Sequence, residues 1–248
     1  MEAHHPHHVT HKKKWTGYLL EFFMLFLAVF LGFTAENIRE HAVEKKRERQ
    51  YIKSFYEDLT SDEKSLPQLA NFMKISLTAA DSLQLLLPHA DTKKPANLTY
   101  VYLRSIIRQL GITLFINDRT IVQLRNSGGM RLIQNKQVSD SIVAYYKTVD
   151  RIQWFYDNLL WIKRSLRETV APILNGTDYG NVVDSTDKVI NPTENIFLRS
   201  TDDNAINNCL LSISDIKGLG SSIRQSVIRL KIRAGNIKKF IAKEYHLE

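Results

Sequence analysis

Apolar residues are distributed along this chain in two different ways. From Phe22 to Ala35 they run without interruption, as FFMLFLAVFLGFTA, with no charge. Taken back to Trp15, the stretch 15–35 holds one charge, Glu21, and at about 1.5 Å per residue covers roughly 30 Å, the depth of a bilayer core. Trp15 and Tyr18 stand at one end, where amphipathic rings prefer a membrane interface, and Lys12, Lys13 and Lys14 abut it. A cleaved secretory signal and a buried core helix are the competing readings. The length and bulk of the run, the absence of an A-x-A pattern before Glu36 and the charged helix that follows favour a single-pass anchor. Residues 36–62 read as a continuation of that helix into a charged stalk, with EKKRERQ at 44–50 polar all round. Tyr51, Ile52, Phe55, Tyr56 and Leu59 then restore an apolar stripe, which is expected to dock on a folded domain.

Beyond the stalk the apolar positions become periodic. A helix is predicted over 65–87, with Ser61 or Asp62 as cap and Pro67 in its first turn. Its stripe is Leu66, Leu69, Met73, Ser76, Ala80, Leu83 and Leu87, and Pro88 ends it. A helix over 98–110 follows, capped by Asn97 or Thr99 and stopped at Gly111. A short one over 119–125 starts at Asp118 and closes at Gly128 and Gly129. The longest bundle helix is predicted over 136–170, striped by Val138, Ile142, Tyr145, Val149, Ile152, Tyr156, Leu159, Ile162, Leu166 and Val170. Turn residues dominate 174–195, where Val182, Val183, Val189 and Ile190 suggest a small hairpin. Two last helices, 202–217 and 221–245, are expected on either side of Gly218 and Gly220. The second carries a heptad-spaced seam at Ile223, Val227, Leu230, Ala234, Ile237 and Ile241.

The fold class is therefore all-α, with an N-terminal single transmembrane helix, a charged stalk and a helical bundle of about five or six helices. The domains are a polar tail (1–14), the span (15–35), the stalk (36–62) and the bundle (63–248). A single cysteine, Cys209, excludes an intramolecular disulfide framework and any cysteine-built zinc site; on a helix it reads as a small buried hydrophobe. Lys and Arg number 34 against 26 Asp and Glu, a net charge of +8. Most of that excess lies in residues 217–248, which include Arg224, Arg229, Lys231, Arg233, Lys238, Lys239 and Lys243. The cluster is either a solvated helix face or a surface for anionic headgroups or an acidic partner; no recognition motif points to nucleic acid. A plain Lys and Arg count on the two flanks of the span favours its C-terminal side inside. The direct contact of the three Lys with the span, against downstream charges interleaved with Glu, favours a cytoplasmic N-terminus, the reading adopted here.

Two stretches resemble a known family. The first is 12–41, an apolar span with an acidic residue at its start, Glu21, and an acidic-Asn exit, Glu36 and Asn37. The second is TIVQLRNSGGMRLIQNKQVSDSIVAYY at 120–146, with Leu124, Ser127, Gly128, Leu132, Ile133 and Asn135 leading into the paired Tyr145 and Tyr146. Together they resemble an uncharacterised family of small single-pass, membrane-anchored helical proteins common in Bacteroidota. The resemblance implies the same order of anchor, stalk and helical domain, with an inner-membrane anchor and a periplasmic domain. It implies no activity.

Candidate chemistry is sparse. Glu21 at the edge of the span reads as an anchoring residue that snorkels to the interface, or else as a contact for a partner helix or an ion-handling group. His4, His5, His7, His8 and His11 form a weak candidate metal site in a tail whose sole acid is Glu2. Ser127, Gly128 and Gly129 read as a helix stop needing positive φ; a ligand cleft with Arg125 and Arg131 is the alternative. Trp154, Phe155, Tyr156 and Trp161 are expected in the core, or else lining an aromatic pocket. Neither G-x-S-x-G nor H-E-x-x-H occurs. The sequence thus predicts a non-enzymatic interaction or sensory module of the bacterial envelope, without a cofactor. Its expected partners are the lipid bilayer and a protein partner or a second copy of itself. The alternative is an accessory subunit of an inner-membrane complex, packing Glu21 and the span against a multipass protein.

Overall fold

A computed structural model of the chain describes residues 15–108 and 116–247. The described elements are all helical: α1 (Trp15–Leu86), α2 (Asn97–Arg108), α3 (Arg119–Ser127), α4 (Lys136–Val170), α5 (Gly176–Asn181) and α6 (Asp203–Tyr245). Short 3-10 turns at Leu87–His89 and Gly129–Leu132 complete them. The expected end of the third helix, at Leu110 and Gly111, and the His-bearing tail lie outside the described residues. The chain divides into two compact units, one up to Gln50 and one from Tyr51 onward.

In the first unit one 18-residue window reaches a mean hydropathy of 2.0 and none of it is buried, so the helix is long and apolar enough to cross a membrane. Phe22, Phe26 and Phe30 stack along one face, with ring centroids 6.4 and 6.1 Å apart. After the span Glu36 takes a bidentate pair from Arg39, at 2.9 Å to Nε, and His41 lies 3.5 Å from Glu44.

The second unit is built on three long segments: α1 from Tyr51 onward, α4 and α6. Lys217 meets Asp81, and Lys238 meets Glu63, so α6 runs antiparallel to α1. Asn135 reaches Glu244 and Arg233 reaches Thr148, so it also runs antiparallel to α4. All seven positions of the stripe from Leu66 to Leu87 are buried, as are all six of the seam from Ile223 to Ile241. These seams pack against one another inside one chain. Ile52, Phe55 and Leu59 are wholly buried, so the stripe after the charged run docks as expected.

Two expected helix breaks are absent. The chain passes through Pro67 in one helix, although an interior proline costs about 3 kcal/mol. Leu59, Leu66, Leu69 and Met73 on either side are buried in the same core, each worth about 1.5–3 kcal/mol, and together they outweigh the proline. Pro67 itself is exposed, and Asp62, one of the two expected caps, is engaged elsewhere. Likewise α6 continues through Gly218 and Gly220. Gly220 is itself a seam residue: Ile206, Cys209, Ile213, Ile216, Gly220 and Ile223 are buried at spacings of 3 and 4. A Cβ at Gly220 would lie 3.3 Å from the Leu77 side chain, whereas one at Gly218 would meet nothing within 4 Å.

The aromatic cluster on α4 also departs from expectation. Tyr156 is buried, but Trp154 is 62% and Trp161 70% exposed. The inward line of α4 runs through Ile152, Tyr156, Leu159, Lys163 and Leu166, which leaves the two tryptophans, seven residues apart, together on the outer face. Lys163 lies on the inward line, and burial lowers its pKa to about 8.

The stretch 174–195, expected to be irregular, carries the short helix α5, whose start Asn175 caps by accepting from Thr177 N. Val183 and Val189 form a single antiparallel bridge, the core of the expected hairpin. Asn97 donates to the carbonyls of Pro192 and Glu194 and accepts from Ile196 N, so it ties down this loop instead of capping α2. The Tyr100 hydroxyl donates to Phe197 O and accepts from Asn175 N.

Gly220→Leu is expected to overpack the seam against Leu77 and lower stability by about 1–3 kcal/mol. Gly218→Ala, in open space on the same helix, is expected to raise it by up to about 1 kcal/mol. Thermal denaturation followed by circular dichroism distinguishes the two.

Candidate functional site

Residues of the stretch 120–146 form a buried node with α1. Asp58 and Asp62 are one helical turn apart on α1, and both are 1% exposed. Asp58 Oδ2 accepts from the backbone N–H of Thr120 at 3.0 Å, and Oδ1 accepts from Arg119 Nη2 at 3.1 Å. Asp62 Oδ1 accepts from the Asn117 N–H at 2.9 Å, and Oδ2 accepts from the Tyr145 hydroxyl at 2.6 Å. Asp58 therefore satisfies a first-turn N–H of α3 that has no partner within the helix, and Asp62 satisfies the Asn117 N–H just before it. Asp118, the expected cap, makes no such bond. Negative charge at a helix N-terminus is favoured by the aligned peptide dipoles as well.

The aromatic rings complete the node. Phe55, Tyr145 and Tyr146 pack with centroids 5.3–6.0 Å apart. Tyr146 donates to Asn117 O at 3.2 Å. Burial raises the pKa of both tyrosines, and the neighbouring aspartates raise it further, so both remain hydrogen-bond donors. Burial also lifts Asp62 from its ordinary 3.8 to about 6; the bonds from Tyr145 and Asn117 hold the rise back, and Asp58 adds to it.

The Ser-Gly-Gly turn is built into the same node. Gly128 ends α3 with φ 64° and ψ 18°, a left-handed conformation that favours glycine. A Cβ on Gly129 would fall 2.9 Å from Ser127 Oγ and 3.0 Å from the Tyr51 ring, so this glycine is required by close approach. Ser127 shares a hydrogen bond with Tyr51 at 3.0 Å and donates to Gln123 O. The space beside the turn is thus filled by protein, which suits the helix-stop reading. Arg125 turns to Asp150 at 3.7 Å, and Arg131 is exposed. Asn135 caps α4 by accepting from Gln137 N and Val138 N, and donates to Glu244.

The other candidates fall into separate places. Trp15, Tyr18, Glu21, Glu36 and Asn37 are all exposed on the first unit. The five histidines of the tail lie outside the described residues, and among the described residues no group of three potential metal ligands gathers. Cys209 is buried, and burial pushes its thiol up to about 12, which leaves it an inert core residue. The basic residues of α6 are split between its faces. Arg224 and Lys231 line a groove of about 300 Å³ with Leu66, Pro67 and Lys74. Arg229 and Arg233 face α4. Lys238 pairs with Glu63 and lies 5.8 Å from the Tyr56 ring centre, and Lys239 and Lys243 are exposed.

Sequence reasoning missed Asp58 as a buried group and offered Asp62, alongside Ser61, as a cap. Their signal was positional: Phe55, Asp58, Asp62 and Leu66 recur at helical spacing along the buried side. Compared with family models, curated proteins and solved structures, the chain matches none. The fold and site define an all-α bundle with one N-terminal helix of membrane-spanning length.

Asp62→Ala leaves the Asn117 N–H and the Tyr145 hydroxyl unpaired and is expected to cost about 2–4 kcal/mol. Asp62→Asn should remove a pH dependence. The folded pKa is raised, so the folded state binds the proton more tightly than the unfolded one. The contribution of Asp62 is then most favourable in acid and is lost as pH rises through about 6. Stability of the native chain relative to Asp62→Asn is expected to fall between about pH 4 and about pH 7. Denaturant titrations of both proteins at the two pH values check the sign; a difference that rises or stays flat contradicts it.

Proposed function

We propose that the protein is a single-pass, membrane-anchored helical module of the bacterial envelope, with a cytoplasmic N-terminus and a periplasmic bundle that recognises a ligand or protein partner. The observation that carries this reading is that no residue of the most apolar window among the described residues is buried. A core helix of a soluble protein would bury such a window, as the bundle buries its own stripes. The unbroken run of α1 past Ala35 supports retention of the segment, since cleavage there would sever a continuous helix. The resemblance to single-pass proteins of Bacteroidota fits the same arrangement. A recognition role is favoured over catalysis because the most elaborate polar cluster, around Asp58 and Asp62, is committed to holding helices together.

A phosphatase active only in the periplasm, fused to the C-terminus, is expected to be active, and a fluorescent protein that matures only in the cytoplasm is expected to stay dark. The reverse result overturns the orientation. Loss of residues 1–35 from the mature chain, read by intact mass, overturns the anchor.

The accessory-subunit reading rests on Glu21, exposed on the apolar helix. It requires that Glu21→Gln release a co-purifying multipass protein. Under the recognition reading the substitution leaves the chain membrane-bound and its partners unchanged.

A further inference from the structure

Between α4 and α6 lies a cavity of about 480 Å³, within the usual range for small-ligand sites. Lys147 and Arg151 line it from α4, and Arg229 and Arg233 from α6. The hydroxyls of Thr148 and Ser226 join them, over the buried side chain of Leu230. Each helix therefore presents two cations spaced i and i+4, an arrangement that destabilises a helix when it is left uncompensated. Several cations elsewhere in the bundle are paired: Arg108 with Asp187, Arg119 with Asp58, Arg125 with Asp150, Lys217 with Asp81 and Lys238 with Glu63. Among the described residues none of the four groove cations has a carboxylate partner, and no carboxylate lines the cavity.

One cation is already oriented. Arg233 Nη1 donates to Thr148 Oγ1 at 2.8 Å and to Ala144 O at 3.3 Å, which holds its guanidinium across the cavity. The remaining N–H groups of that planar fork suit the oxygens of a phosphate, as do those of Arg151 and Arg229. Four cations in so small a volume call for several negative charges placed close together. A diphosphate group supplies them more densely than a carboxylate does.

We propose that this groove binds a ligand bearing two or more phosphate groups. The proposal rests on reading the bundle as a recognition module, not on the orientation of its anchor, so a reversed topology leaves it standing and testable. The full chain in phosphatidylcholine nanodiscs, titrated with inorganic pyrophosphate by calorimetry, is expected to show saturable binding. Arg151→Gln with Arg229→Gln should weaken that binding by about tenfold or more, and Lys147→Gln alone by about threefold or more. Lys93→Gln with Lys94→Gln, in the loop before α2, should leave it unchanged. Unaltered helical circular dichroism shows that the variants are folded. Adding cardiolipin, whose headgroup carries two phosphates, separates the sources. If it abolishes pyrophosphate binding, the groove takes lipid headgroups; if binding persists, the ligand is soluble. Absence of pyrophosphate binding by the native chain, or equal binding by the groove and loop variants, overturns the proposal.

Discussion

The carboxylates of Asp58 and Asp62 hold three parts of the chain at once. Through Thr120 and Asn117 they close the N-terminal end of α3, and through Tyr145 they fix α4. Such groups are expensive to bury alone and become tolerable when each oxygen accepts a hydrogen bond. Here all four oxygens do. These bonds tie α1 to the start of α3 and to α4, beside the Ser-Gly-Gly turn that packs over Tyr51.

Around that node the bundle is a problem of continuity. Pro67, Gly218 and Gly220 each weaken a helix locally, yet α1 and α6 pass through them. Buried side chains on both sides of each interruption belong to one core, and the energy of their burial exceeds the local penalty. At Gly220 the interruption is itself part of the packing, since the missing side chain admits Leu77.

The distribution of charge follows a second rule. Several cations meet acids across helices, as Lys217 meets Asp81 and Lys238 meets Glu63, whereas among the described residues the four cations that line the groove between α4 and α6 have no carboxylate partner. Unpaired like charges cost stability in the free protein. On the proposed phosphate binding, entry of the anion would offset that cost and raise stability with occupancy.

By itself the sequence determined what depends on position along one helix. The apolar span, the seven-residue stripe from Leu66 and the seam from Ile223 were legible because helical periodicity places those residues on one face whatever the partner is. The positive φ at Gly128 and the burial of Cys209 were legible for similarly local reasons. Tertiary structure alone decided which local signals prevailed. Asp62 carried the marks of a cap, but it became a buried acceptor for Asn117 and Tyr145, residues far away in the chain. Asn97 looked like a cap and became a clasp on the loop at 192–196. Trp154 and Trp161 looked like core residues and came to lie outside, because the inward line of α4 passed between them. Lys147 and Arg151 carried no signal until α6 set Arg229 and Arg233 opposite them. Periodicity is a property of one helix, whereas hydrogen-bond partners and converging charges are properties of helix pairs, and only folding brings those pairs together.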